Sequence, residues 1–157
     1  MATRGEYTYP YPRPMVSVDA VVLRRDPAGV LVLLIRRGKP PFQGRLSLPG
    51  GFVELDEDLP EAAARELLEE AGVAGVDLLQ VGAFGRPDRD PRGRNISIAF
   101  AALVEGAAPP VRAGDDATEA LWVPLTAARD LPSDHGEILA AACRVVGLEP
   151  PGVKPTD

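Results

Sequence analysis

A chain of 157 residues, 45% hydrophobic and 25% charged, is of single-domain size, can bury one ordinary core, and lies far from the composition of a disordered chain. Its formal net charge of −6 argues against a polymeric nucleic-acid partner, because binding a phosphate backbone demands a basic excess. Cys143 is the only cysteine, which excludes an intramolecular disulfide and suits a reducing, cytoplasmic setting, and no apolar run approaches the ~20 residues of a membrane span.

Residues 1–14, rich in Tyr and Pro from Glu6 on, read as an extended arm, residues 15–148 as the domain proper and residues 149–157 as a loose tail. From Met15, Val16, Val18, Ala20 and Val22 recur at every second position. The turn letters Asp26-Pro27-Ala28-Gly29 then lead into the apolar run Val30 to Ile35, so a β-hairpin is predicted. Gly38 to Gly44, with Pro40 and Pro41 inside, makes a loop that returns at Arg45-Leu46-Ser47-Leu48. Asp58 followed by Glu61 is a capping-box pattern. Behind it Ala63, Ala64, Leu67, Leu68 and Ala71 hold helical spacing until Gly72. Residues 76–84 and 95–104 read as strands joined by an arginine-rich loop long enough to invite a ligand, and Glu119 to Val123 as another strand stopped by Pro124. A closing helix over 134–146 takes its cap from Ser133 or Asp134. Interleaved strands and helices predict an α/β fold, a mixed sheet covered by helices on its faces.

One stretch carries chemistry. From Gly51 the chain runs five residues to Glu57, seven more to Arg65-Glu66-Leu67, then Leu68, Glu69-Glu70, Ala71 and Gly72-Val73. At 100° per helical residue, Glu69 lies about 60° to one side of Glu66 and Glu70 about 40° to the other, so three carboxylates share one stripe. A solvated acidic face relieved by Arg65 is the bland reading. Gly50 and Gly51 speak against it, since flexible backbone just before the helix can turn carbonyls toward a cation. Hard divalent ions take oxygen ligands and tie themselves to substrate phosphates, which suits such a cluster.

With the Leu48-Pro49-Gly50-Gly51 lead-in, this pattern resembles the Nudix box of the Nudix hydrolases at every position, a match expected by chance on the order of 10⁻⁹ per starting position. The resemblance implies a Nudix-type α/β/α sandwich. It implies a hydrolase that splits a diphosphate with water and Mg²⁺, for which Mn²⁺ can substitute. It casts Glu66, Glu69, Glu70 and the Gly51 carbonyl as metal ligands and Glu57 as the partner of Arg65, with Glu69 and Glu70 central to catalysis. In this family the general base sits in the box or on a loop before a late strand, where this chain has Asp115, Asp116 and Glu119; Asp116 and Glu119 are the candidates, against a reading of Asp115-Asp116 as turn residues.

Two further segments resemble the ADP-ribose pyrophosphatases and related regulators of nicotinamide-cofactor metabolism. They are Arg89-Asp90-Pro91-Arg92-Gly93-Arg94 and Asp134-His135 before Glu137-Ile138-Leu139, joined by Arg13-Pro14 and Asp19. ADP-ribose is then the expected small-molecule substrate, giving AMP and ribose 5-phosphate, and a homodimer the expected assembly. Arg89, Arg92 and Arg94 are candidate substrate contacts through forked donors, as is one of Arg36 and Arg37, which alternation alone cannot separate. Phe84, Phe42 and the N-terminal tyrosines are candidate adenine-stacking rings, although an aromatic on a strand is more often core. His135 is expected to serve the helix start. A nucleoside triphosphate pyrophosphatase is the alternative enzyme. An ADP-ribose-sensing regulator is the alternative of another class, and such a protein would need a DNA-reading domain after this one.

Overall fold

The computed structural model describes residues 6–152. Its centre is β1 (Met15–Asp26), which runs parallel to β6 (Asn95–Val104) from Met15↔Asn95 to Arg24↔Val104. On its other side β1 pairs with two strands in succession. Ser17 to Asp19 meet β4 (Gly50–Phe52), and Leu23 to Asp26 meet β2 (Gly29–Arg37) in the expected hairpin. Beyond β2 lie β3 (Leu46–Ser47) and β7 (Ala117–Pro124), and β5 (Leu79–Phe84) flanks β6. Among the described residues the result is a seven-stranded mixed sheet with one α-helix on each face, the mixed α/β architecture the sequence predicts.

Alternation along β1 assigns its side chains to the two faces. Val18, Ala20 and Val22 pack with Leu33, Ile35 and Phe100 beneath α1 (Leu59–Ala71), which contributes Ala62, Ala63, Leu67 and Ala71. Val21 and Leu23 pack with Val32, Leu34, Ala99 and Ala101 against Ile138, Leu139, Ala142 and Cys143 of α2 (His135–Val145). Burial on both faces explains why β1 reads as a nearly continuous apolar run. Its buried exceptions are Ser17 and Asp19 on the α2 face, and the Asp19 carboxylate accepts the Ser97 hydroxyl from β6.

The helix α1 starts and stops where its punctuation says. The Asp58 side chain accepts from Leu59 N–H at 2.7 Å and Glu61 accepts from Asp58 N–H at 3.1 Å, closing the capping box, and Gly72 ends the helix in the left-handed conformation at φ 69°. The start of α2 corrects the sequence reading. Asp134 occupies the N-cap position, but neither it nor Ser133 caps the helix. The Asp134 carboxylate instead takes both arms of the Arg89 guanidinium at 2.7 and 2.8 Å, and Ser133 donates its hydroxyl to the Arg89 carbonyl. This clamps the 85–94 loop onto the helix start. Residues 6–14 of the arm are exposed and outside any strand or helix, with Tyr7 and Tyr9 stacked and Arg13 over the Tyr9 ring.

Both partners of the Arg89–Asp134 pair are nearly solvent-free, with side-chain exposures of 3% and 2%. Removing one partner strands a buried charge. Arg89→Ala is therefore expected to cost about 3–5 kcal/mol, read as a lower urea midpoint at unchanged slope, while the double variant with Asp134→Ala costs less than the two single losses added together.

Candidate active site

The carboxylate stripe of α1 faces backbone rather than open water. Glu70, 5% exposed, accepts the Gly50 N–H at 2.7 Å, which joins the helix to β4. Glu66, 8% exposed, lies so close to Gly51 that a Cβ there would come within 2.3 Å of its Oε1. Any side chain at position 51 would displace the carboxylate. Glu69 is more open, at 42% side-chain exposure. A fourth acid arrives from outside the box, since Asp115, in a left-handed turn at φ 50°, brings its carboxylate oxygen within 4.8 Å of those of Glu66 and Glu69. Gly114 makes this possible. Its Cα approaches the helix so closely that a Cβ would meet the Glu69 carbonyl at 2.5 Å.

Arg65 is the counter-charge. Its guanidinium grips Glu57 at 2.6 and 2.9 Å, reaches Glu66 at 2.9 Å and Glu69 at 3.2 Å, and donates to the Phe52 carbonyl at 3.0 Å. The Glu57–Arg65 brace thus stands where the resemblance placed it. Hydrogen bonds from Arg65 hold the Glu57 carboxyl below its ordinary range. Burial does the opposite to Glu66, whose carboxyl is raised, and pushes Glu70 up to about 8 even though the Gly50 N–H opposes the shift. These oxygens are all hard donors with few partners of their own, a set that fits a divalent cation.

The acids open onto a cleft of about 1400 Å³, walled by Arg37, Phe42, Phe52, Arg92, Asp116 and His135 among others. Within the arginine pair, Arg37 faces the cleft and donates to the Pro41 carbonyl, whereas Arg36 binds Glu119 at 2.7 Å and the Gly44 carbonyl, away from the cleft. Glu119 thereby leaves the site. The register sets Arg36 against Glu119, and an irregularity follows before Arg37 pairs with Ala117. Asp116 does line the cleft and forms an ion pair with Lys39. It is Asp115, however, that joins the acids of the helix.

The predicted substrate arginines separate in the same way. Arg89 is committed to Asp134, and Arg94 donates to the Gly85 carbonyl outside the cleft. Arg92 lies in the cleft, bound to Asp90 and stacked over the Phe52 ring at 4.7 Å. Phe84 packs into the α2-side core, while Phe42 and Tyr7 reach the cleft. His135 begins α2 as expected and also accepts the Leu48 N–H at its Nδ1, 3.2 Å away, so that it supports the turn into Gly50. Phe52 and Asn95 were not singled out by sequence. A polar pair, Asn95 and Ser97, two residues apart at the head of an apolar strand was the available signal.

The raised Glu70 carboxyl has a consequence for the metal-free protein. Its folded value lies above the usual 4.5, so the folded chain binds this proton more tightly, and the associated stability is complete below about pH 4.5 and lost as pH rises through about 8. Glu70→Gln keeps an acceptor for Gly50. In chelator-treated protein it is expected to flatten the fall in Tm between pH 5 and 9 and to exceed the wild type at pH 9, as calorimetry across that range would record.

The family model described as the NUDIX domain matches residues 13–142. An ADP-ribose pyrophosphatase of Methanocaldococcus jannaschii is 41% identical over 129 residues, 82% of this chain and 73% of that protein. The ADPR responsive transcriptional repressor NtrR of Acinetobacter baylyi is 35% identical over 136 residues, 84% of this chain but only 54% of the repressor. Among solved structures, the NUDIX domain of Shewanella oneidensis NrtR complexed with ADP ribose superposes with a TM-score of 0.81 at 27% identity, covering 87% of this chain and 90% of that one. With its box intact, its fold shared and its sequence this close to a pyrophosphatase of the family, the chain belongs to the NUDIX domain family and is a Nudix hydrolase.

Proposed function

We propose that the chain hydrolyses ADP-ribose to AMP and ribose 5-phosphate with Mg²⁺, for which Mn²⁺ can substitute. The observation that carries this reading is the convergence of Glu66, Glu69 and Asp115 at one end of a cleft whose 1400 Å³ exceeds the several hundred Å³ of a typical small-ligand site. A diphosphate flanked by two sugars needs that room. The 41% identity to a pyrophosphatase named for this substrate supports it as well.

Glu66, Glu69, Glu70 and the Gly51 carbonyl are the groups that would hold the ion. When bound, it supplies positive charge against the diphosphate and lowers the pKa of water. Asp115 is the general base: it stands among these acids yet remains exposed on its own turn, so it can take the proton of the attacking water. Arg65, locked by Glu57, keeps Glu66 and Glu69 in place, and Arg37 presents positive charge in the same cleft. Sensing of ADP-ribose without turnover is a second reading, favoured by the 35% identity to NtrR.

Chromatographic detection of AMP from ADP-ribose and Mg²⁺ separates the two, and absence of AMP at millimolar substrate would remove the proposed reaction. Among the loop acids, Asp115→Asn is expected to lower kcat by roughly 10²–10⁴-fold. Asp116→Asn and Glu119→Gln should stay within a few-fold of the wild type. A wild-type kcat in Asp115→Asn would exclude it as the base.

A further inference from the structure

Away from the acids, the cleft ends where β1 and β6 begin. Asn95 lines it there, paired with Met15, three residues along β1 from Val18, the partner of Gly51. At the rise of a strand this is roughly 10 Å from the metal-binding backbone. Asn95 is only 1% exposed, and its Nδ2 donates at 3.0 Å to both Ser17 Oγ and Asp90 Oδ2. Burial works against the ionised Asp90, but hydrogen bonds from Arg92 and Asn95 prevail and hold its carboxyl down at about 2, so it is an acceptor only. That fixes which end of the amide is nitrogen. Oδ1 is left with no partner, the only buried side-chain nitrogen or oxygen so left among the described residues.

Native folds pair buried amide oxygens, and an exception at the wall of a binding cleft points to a donor that the ligand brings. The surroundings narrow its chemistry. Asp90 is anionic and Arg92 is already tied to it through two nitrogens, so this end offers a phosphate little net attraction. Neutral groups rich in N–H or O–H suit it better.

We propose that Asn95 is a specificity-determining residue, whose Oδ1 accepts a hydrogen bond from a neutral donor on the non-phosphate part of the ligand, a sugar hydroxyl or the exocyclic amine of a base. Its oxygen is closed to solvent, so a ligand reaches it by displacing part of the cleft wall, to which Arg92, bound to Asp90 and with 43% of its side chain exposed, also belongs. The proposal places a recognition element on the proposed ADP-ribose reaction without depending on turnover.

The test follows the side-chain amide resonances of Asn95 in ¹⁵N-labelled full-length protein, assigned by their loss in Asn95→Ser, during titration with AMP, ribose 5-phosphate and intact ADP-ribose in the presence of Mg²⁺. A shift with AMP assigns the donor to the nucleoside, and a shift with ribose 5-phosphate assigns it to the other sugar. Asn95→Leu is expected to raise KM about tenfold with kcat within twofold, the signature of binding lost equally from ground and transition states. Because Asn95 also links Ser17 to Asp90, a variant that fails to fold is replaced by a ligand-side measurement on the wild type. The probe that shifts Asn95 is compared with its counterpart lacking one hydroxyl or amine, and a tenfold loss of affinity for one such counterpart supports the role. Resonances that stay in place under saturation by all three probes, or affinities indifferent to every deletion, would overturn it. A wild-type chain that releases no AMP yet shows the Asn95 shift refutes the proposed reaction and leaves the recognition role standing.

Discussion

Glu66 and Glu70 are carried by one helix face into a crevice that is nearly dry, and the protein has to keep both there. Desolvation opposes charge on both, and their mutual repulsion adds to it. Much of the surrounding structure answers that difficulty. The Gly50 N–H offers Glu70 a donor, Arg65 offers Glu66 a cation, and Glu57 immobilises Arg65 so that it does not swing away. Gly51 and Gly114, where an added Cβ would collide with the Glu66 carboxylate and the Glu69 carbonyl, sit where backbone presses against this helix. A site built in this way holds unfavourable electrostatics in the folded chain, which a divalent cation among such hard oxygens would relieve.

On the other side of β1 a second buried polar system works by a different rule. Asp19, Ser97, Arg89, Asp134 and His135 interact with one another at the edge of the α2-side core, where Asp134 grips the buried Arg89 guanidinium and Ser97 donates to Asp19. This network joins the 85–94 loop, the start of α2 and the turn at Leu48 into one support for the Gly50–Gly51 backbone. The cleft therefore has an acidic end held in tension and a polar end held by satisfied pairs, with Asn95 Oδ1 as the exception. Such a division suits a ligand whose reactive diphosphate and neutral sugar have opposite needs.

Loop arginines illustrate why a residue type seldom reveals its task. Arg89, Arg92 and Arg94 lie within six positions, yet one is a buried strut, one stacks in the cleft and one ties down a strand end. All three carry the same forked donor group, although Arg94 donates through one nitrogen only. What differs is which acceptor the fold places in reach, and Asp134 is 45 residues from Arg89 in sequence.

Local regularities were legible in the sequence alone. Alternation drew the β1–β2 hairpin, the Asp58–Glu61 cap and Gly72 bounded α1, and the spacing of Glu66, Glu69 and Glu70 put them on one face, because each depends on backbone periodicity over a few residues. Tertiary pairing decided the rest. The register of β7 on β2, with its irregularity before Arg37, sent Glu119 to the far side with Arg36 and turned Arg37 and Asp115 toward the cleft. Likewise Asp134 stands at a helix start, as its residue type suggests, but Arg89 offers its carboxylate a charge-assisted pair that a backbone N–H cannot match. A periodic pattern specifies which face a side chain shares with its neighbours, while its partner comes from contacts across dozens of residues that no local pattern encodes.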